Sequence, residues 1–337
     1  MKKYNVAILG ATGAVGQEML KVLGERNFPI NDLKLLASER SAGKDIEFQG
    51  KKYTLEEATE NSFENVDVVL CAAENDISLA LSPVAVRAGA VVIDNSSAYR
   101  MDDSVPLVVP EVNAEDVKKH KGIIANPNCS TIIALTAINE LNKYSKVNRM
   151  IVTTFQAVSG AGVNGFRELD QQIKNISEGK EIEIKTFQHQ IAYNLIPQIG
   201  SFDEVGYSQE EMKMQNEGRK ILHNADLKVN CTCVRVPVYR SHSESITIET
   251  ENEITAEKAR ELLANAKGVK LVDDPNNKAY PMPLDTSDQD LIFVGRVRKD
   301  ISKDNSLVLW CSGDQIRKGA ATNAVQIAEV LVNENLI

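Results

Sequence analysis

The chain has 337 residues, of which 43% are hydrophobic, 25% charged and 5% aromatic, and its formal net charge is −9. That length accommodates two domains and a large core. The acidic balance argues against nucleic acid or an anionic membrane as the main partner, so any anion handled here must meet a local group of basic residues.

The opening stretch, MKKYNVAILG, carries an apolar run that breaks at once into Gly10 and Gly13. It is too short and too glycine-rich for a signal segment, and no stretch of the chain reaches membrane-spanning length. YNVAILG reads as a buried strand and AVGQEMLKVLGE as an amphipathic helix; LKLLAS and DVVLCAA follow as strands. KDIEFQGKKYTLEEA reads as a small hairpin on one edge, SLALSPVAVRAG as a helix ending at Gly89, and AVVIDNSS as a further strand. Continuous apolar strands separated by helices predict a parallel sheet covered on both faces.

Beyond Cys129 the pattern changes. NRMIVTTFQAV, VNCTCVRVPVY and SESITIETENE alternate polar and apolar residues, as strands with one open face do. GFRELDQQIKNI, SQEEMKMQNEGRKIL and TAEKARELLANA interrupt them as helices, and DDPNNKAYPMPLDTSDQD reads as a loop. This predicts an α+β domain with a mostly antiparallel sheet. The last segment, RKGAATNAVQIAEVLVNENL, predicts a long helix that returns to the first domain.

GATGAVG, Gly10 to Gly16, stands between the first strand and the first helix. Glycines there allow a tight turn and close approach of a pyrophosphate to a helix N-terminus. The spacing is looser than G-x-G-x-x-G, so a plain tight turn is the alternative. The second strand runs into Ser38-Glu39-Arg40-Ser41-Ala42-Gly43-Lys44. A guanidinium and a hydroxyl suit a ribose 2′-phosphate, which favours NADP over NAD, although Glu39 dissents.

The stretch ANPNCSTIIALTAI predicts a helix that opens at Cys129. A helix N-terminus stabilises a thiolate, which suits a nucleophile; a small buried hydrophobe is the alternative. The remaining cysteines, Cys71, Cys231, Cys233 and Cys311, read as core thiols, and Cys231-Thr-Cys233 has the wrong spacing for a zinc knuckle or a redox pair. Reduced thiols fit a cytoplasmic protein, and no metal site is expected.

Among the four histidines, His120 lies in the charged run VKKHK and His223 ends a charged helix, while His189 sits in TFQHQIAYN. His242 follows a strand in RVPVYRSHSES, beside Arg235 and Arg240. Cationic neighbours should oppose its protonation and leave it available as a base, unless it is a surface turn residue. Arg100 stands after a strand at the carboxyl end of the parallel sheet, where such folds bind ligands. Glu210 and Lys213 share a helix face in EEMKMQNE; they form an intrahelical ion pair or, with Arg235, hold the charged groups of an amino acid.

Across nearly its whole length the chain resembles the aspartate-β-semialdehyde dehydrogenase family. The resemblance rests on GATGAVG, SERSAGK, DNSSAYRM, NPNCSTI, FQAVSGAG, EEMKMQNE, CVRVPVYRSHS and GDQIRKGAATNAVQI, in family order. It implies an enzyme that interconverts aspartate 4-semialdehyde plus phosphate with 4-aspartyl phosphate, using NADP, in lysine, methionine and threonine biosynthesis. The implied fold is α/β. A Rossmann-type domain, residues 1–127 with 316–337, binds NADP, and an α+β domain, residues 128–315, serves catalysis and homodimerisation. By the same resemblance Cys129 is the acyl-thioester nucleophile and His242 the acid/base. Gln156 orients the substrate, Arg235 binds its carboxylate and Glu210 its amino group, while Arg100 and Lys213 hold phosphate. Gly10, Thr12, Gly13, Ala14, Val15, Arg40 and Ser41 hold NADP, and Ser159, Gly160 and Gln315 line its nicotinamide side. Two rival readings stand beside it. One is a related acyl-phosphate reductase acting on an N-acetylated glutamyl phosphate; the other is a non-catalytic NADP-binding sensor.

Overall fold

The computed structural model describes residues 2–337. The chain forms two compact units, residues up to Asn128 together with Ala320–Ile337, and Cys129–Gly319.

In the first unit the order is β1 (Tyr4–Leu9), α1 (Ala14–Glu25), β2 (Ile30–Ala37), β3 (Asp45–Phe48), β4 (Lys51–Thr54), β5 (Glu56–Glu57), β6 (Val68–Cys71), α2 (Asn75–Arg87), β7 (Val91–Asp94), α3 (Pro110–Asn113) and β8 (Ile123–Ala125). Six strands pair in parallel in the order β5-β2-β1-β6-β7-β8. That is the doubly wound order of dinucleotide-binding folds, with its switch point between β1 and β6. The strands are apolar on both faces because both faces are covered. Val6, Ile8, Val68 and Leu70 join one core, with Met19 and Leu23 of α1. Ala7, Leu9, Val69 and Cys71 join the other, with Phe63 and with Ala85 of α2. The hairpin expected on the edge is β3 paired with β4 as a separate two-stranded sheet, and β5 then adds to the edge of β2.

In the second unit α4 (Cys129–Tyr144) precedes β9 (Val147–Gln156), α5 (Gly162–Ser177), α6 (Gln209–Ile221), β10 (Lys228–Arg235) and β11 (His242–Thr250). Then come α7 (Ala256–Ala264), β12 (Val269–Leu271), α8 (Pro283–Thr286), β13 (Ile292–Lys299) and β14 (Ser306–Gly313). The strand order is β10-β9-β11-β14-β13-β12. The three central pairings are antiparallel, and the two outer pairings are parallel. One face of β9 is buried and the other is more open, as its alternating sequence predicts. α4 is buried along most of its length and packs against β9, β11, β13 and β14.

The last helix, α9 (Thr322–Asn333), follows a π-helical turn over Arg317–Ala321. Its Ala324, Val325, Ala328 and Leu331 belong to the core of the first unit. No helix of the described residues is long and apolar enough to cross a membrane.

Candidate active site

The glycine loop joins β1 to α1 in the first unit, and its shape is forced by close main-chain packing. Gly10 has φ +90°, and a Cβ there would stand 2.7 Å from the carbonyl oxygen of Ala72. A Cβ on Gly16 would stand 2.3 Å from the oxygen of Gly10. Gly13 occupies the N-cap of α1 and supplies no side-chain acceptor, so the first-turn N–H groups of Ala14 and Val15 receive no capping oxygen from it. Thr12 and Gly13 are exposed. A pyrophosphate placed there satisfies those donors, so the residues present fit the dinucleotide. Arg40 and Ser41 lie in a short 3₁₀ turn directly after β2, with Arg40 exposed and Ser41 half-buried. Glu39 is exposed beside them. Arg100, at the end of the segment after β7, is buried and donates from Nη2 to the carbonyl of Asn95 at 2.7 Å.

The other predicted residues lie in the second unit, and the strand register gathers several of them. Arg235 ends β10 opposite Gln156, which ends β9. His242 begins β11 opposite Gly313 of β14. Side chains at the ends of three neighbouring strands thus project from one side of the sheet. Ala157, just past β9, ties two of them together. Its N–H donates to Nδ1 of His242 at 3.1 Å, and its carbonyl accepts from Nη1 of Arg235 at 2.6 Å. Gly160 closes in from the same loop. A Cβ on it would stand 2.6 Å from Nη1 of Arg235 and 3.5 Å from Nε2 of His242.

Gln156 extends the cluster toward α6. Its Nε2 donates to Oε1 of Glu210 at 3.1 Å, while its Oε1 accepts from the Thr154 hydroxyl at 3.2 Å. Lys213 donates to Oε2 of Glu210 at 2.9 Å, so the intrahelical ion pair is present, on the same carboxylate that Gln156 bonds. Ser208 and Glu211 fix the start of that helix with a capping box. Ser159 accepts from Nε2 of Gln315, and Oε1 of Gln315 accepts the N–H of Ser241, the residue before His242, at 2.9 Å.

Cys129 is the first residue of α4 and is partly accessible, whereas Cys71, Cys231, Cys233 and Cys311 are buried. Burial pushes the thiol of Cys71 up to about 12. It holds Cys311 well above the usual range too.

Burial, followed by the charge of Arg235, drives His242 down from 6.5 to about 3, with Glu210 opposing. The direction matches the sequence expectation, but the cause is chiefly desolvation. Arg240, counted among the cationic neighbours, is instead ion-paired with the buried carboxylate of Asp314. His242 is completely buried, and its Nε2 has no hydrogen-bond partner within the protein. Burial lowers Arg235 as well, and the neighbouring Glu210, Cys129 and Cys233 offset this.

Three contributors escaped the sequence reading. Ala157 acts through its main chain, which any residue type supplies. Asp314 and Gly319 lie in the matched stretch GDQIRKGAATNAVQI, where the glycine inside an otherwise helical run was the available signal. Among the described residues, no group of three or more His, Cys, Asp or Glu is placed to hold a metal ion.

A family described as semialdehyde dehydrogenase, NAD binding domain, matches residues 5–120, and its dimerisation domain matches residues 139–318. The aspartate-semialdehyde dehydrogenase of Aquifex aeolicus is 54% identical over 338 residues, spanning 99% of both chains. That of Bacillus subtilis is 50% identical over 341 residues, again across 99% of both. A Vibrio cholerae aspartate semialdehyde dehydrogenase II solved in complex with ASA superposes with a TM-score of 0.97 at 46% identity, covering 99% of each chain. A Candida albicans enzyme solved with NADP gives a TM-score of 0.78 at 25% identity over the full length of both chains.

Proposed function

The chain belongs to the semialdehyde dehydrogenase family, and from that membership we propose how its residues divide the work of one reaction. The reaction is the NADP-dependent interconversion of L-aspartate 4-semialdehyde and phosphate with L-4-aspartyl phosphate. The observation that carries the reading is the joining of Arg235, His242, Gln156 and Glu210 through Ala157 and neighbouring hydrogen bonds. An amino acid presents a carboxylate and an ammonium, and a buried guanidinium with a buried carboxylate is the matching pair. An N-acetylated substrate would offer Glu210 an amide in place of an ammonium, leaving it Lys213 as its cationic partner on α6.

Cys129 is the nucleophile. Its thiolate, favoured by the N-terminus of α4, adds to the aldehyde carbon; the C=O electron pair moves onto oxygen. Nε2–H of His242 donates to that oxygen. With Nδ1 occupied by the N–H of Ala157, the neutral ring carries its proton on Nε2, so the acid/base residue works here as a neutral hydrogen-bond donor to the oxyanion and not as an imidazolium. NADP, held by the Gly10–Val15 loop with Arg40 and Ser41, supplies when bound the acceptor for the hydride whose departure leaves a thioester on Cys129. Phosphate oxygen then attacks the thioester carbon, and the sulfur leaves as thiolate. The phosphate hydroxyl supplies the proton released overall. Gln156 orients the substrate, Lys213 and Arg100 keep the phosphate-binding roles the resemblance implies, and Ser159, Gly160 and Gln315 keep the nicotinamide-side roles. Holding phosphate in place matters because it is a weak nucleophile in free solution.

The reaction belongs to lysine, methionine and threonine biosynthesis, and we place the enzyme in the cytoplasm as a homodimer formed through the second unit. The test is a phosphate-dependent rise in absorbance at the nicotinamide wavelength with L-aspartate semialdehyde. Equal turnover of the N-acetylated glutamate semialdehyde would move the assignment to that reductase. Folded protein that binds NADP but gives no rise with either aldehyde would be a sensor.

A further inference from the structure

The nucleophile is backed by a residue with no side chain. A Cβ at Gly319 would stand 2.9 Å from Cβ of Cys129, 3.4 Å from its Cα and 3.4 Å from Cβ of Gln315. The first distance is shorter than packed carbons allow. The Cβ of Cys129 is fixed to the main chain at the start of α4 and cannot rotate aside as the end of a long side chain would, while the other two distances are ordinary contact.

The place of Gly319 is itself set by an unusual turn. Residues Arg317–Ala321 are π-helical, and the N–H of Gly319 donates to the carbonyl of Asp314, five residues back, at 3.0 Å. Wide turns of this kind shift the following backbone sideways relative to an α-helix, and they concentrate at functional sites. Asp314 anchors it. Its Oδ1 accepts the N–H groups of Ile316 and Arg317 at 2.9 and 3.1 Å. Its Oδ2 accepts the N–H of Asp288 at 2.6 Å and pairs with Arg240. Between Asp314 and Gly319 stands Gln315, bonded to the N–H of Ser241 next to His242. One short segment therefore touches the chain beside the imidazole and passes so close to the residue that carries the thiol that only a glycine fits there.

We propose that the 314–319 turn is the element that fixes where the Cys129 sulfur stands relative to His242, and that Gly319 is a positioning residue for Cys129. The proposal rests on Cys129 being the nucleophile. An added methyl at 319 must displace either the start of α4 or the anchored turn, and displacements well under 1 Å are costly in a nucleophilic step.

The test is Gly319→Ala, read in three ways. In steady state, kcat falls about ten- to hundred-fold, while KM for the semialdehyde and the affinity for NADP each stay within about three-fold. Without substrate, the rate at which iodoacetamide alkylates Cys129, followed by intact mass against pH, departs from that of the parent. In a stability cycle, Gly319→Ala lowers the melting temperature in the parent but not in a Cys129→Gly background, where the clash is removed. If Gly319→Ala alone does not fold, recovery of folding in the double variant supports the contact. Unchanged kcat and alkylation in a folded variant, or equal destabilisation or misfolding in both backgrounds, overturns the proposal. Because alkylation and stability need no turnover, failure of the proposed reaction would show separately, as a parent enzyme without activity.

Discussion

The N–H of Ala157 donates to Nδ1 of His242 at 3.1 Å, and this single bond decides what the imidazole can do. The other ring nitrogen, Nε2, bears the proton in the neutral form. With its pKa driven to about 3 by burial and by Arg235, His242 stays neutral throughout the working range, and the role proposed for it is that of a donor to negative oxygen. His242→Gln keeps an N–H donor at nearly the same reach, whereas His242→Ala keeps none. We expect His242→Ala to lose about 10²- to 10³-fold in kcat, as removal of an oxyanion donor typically does. His242→Gln should retain at least ten-fold more activity than the alanine variant. Equal loss in both variants would mean that proton acceptance, not donation, is what the residue supplies.

Cys129→Ala should abolish turnover and leave NADP affinity within about two-fold, because the proposed nucleophile and the glycine loop are separate parts of the chain. Intact mass after incubation with semialdehyde and NADP, without phosphate, should show an acyl adduct on the peptide that carries Cys129 in the parent only. An adduct elsewhere, or full activity in the variant, would remove Cys129 from its role.

What the sequence disclosed follows from which interactions are local. The loop Gly10–Gly16 was readable because a strand, a turn and a helix are contiguous there, and the helix opening at Cys129 was readable for the same reason. The sides chosen by Arg235, Gln156 and His242 follow from strand alternation, but their meeting depends on register, which long-range pairing sets. The strands read from the sequence do not include β13 or β14. The register shift between Gly295 and Arg298, with Arg296 at φ +53°, breaks the alternation that would have revealed β13. Ala157 was invisible because its contribution is main chain. Gly319 was invisible as a neighbour of Cys129 because nothing local links the two positions.

Arg40 follows β2 in an exposed turn, with Ser41 beside it. If the pair reads the 2′-phosphate, Arg40→Glu should weaken NADP by about 10²-fold or more and change NAD by less than about three-fold, since the lost partner is a charge-assisted hydrogen bond replaced by repulsion. The measurement is the ratio of the two dissociation constants. An unchanged ratio would assign the phosphate to another group.

His242 and Glu244 stand two apart on β11, both fully buried, and they should respond to pH in opposite directions. Glu244 has both carboxyl oxygens without a hydrogen-bond partner. Desolvation, with the nearby Cys233, holds its pKa well above 4.5. Folding therefore binds a proton to Glu244 once the unfolded chain is ionised, so its contribution to stability is lost as pH rises above about 4.5, by up to about 1.4 kcal/mol per pH unit. Glu244→Gln removes that dependence while keeping the shape. Its melting temperature should gain on the parent as pH rises above about 5. For His242 the sign reverses. Its folded value near 3 lies below 6.5, so the unfolded chain binds the extra proton and stability is lost as pH falls from about 6.5 toward 3. His242→Gln should therefore gain on the parent on the acid side of that window and not above it. A flat difference for Glu244→Gln between pH 5 and pH 8 would mean that the folded protein holds the carboxylate ionised, and that the sheet offers it a partner in solution.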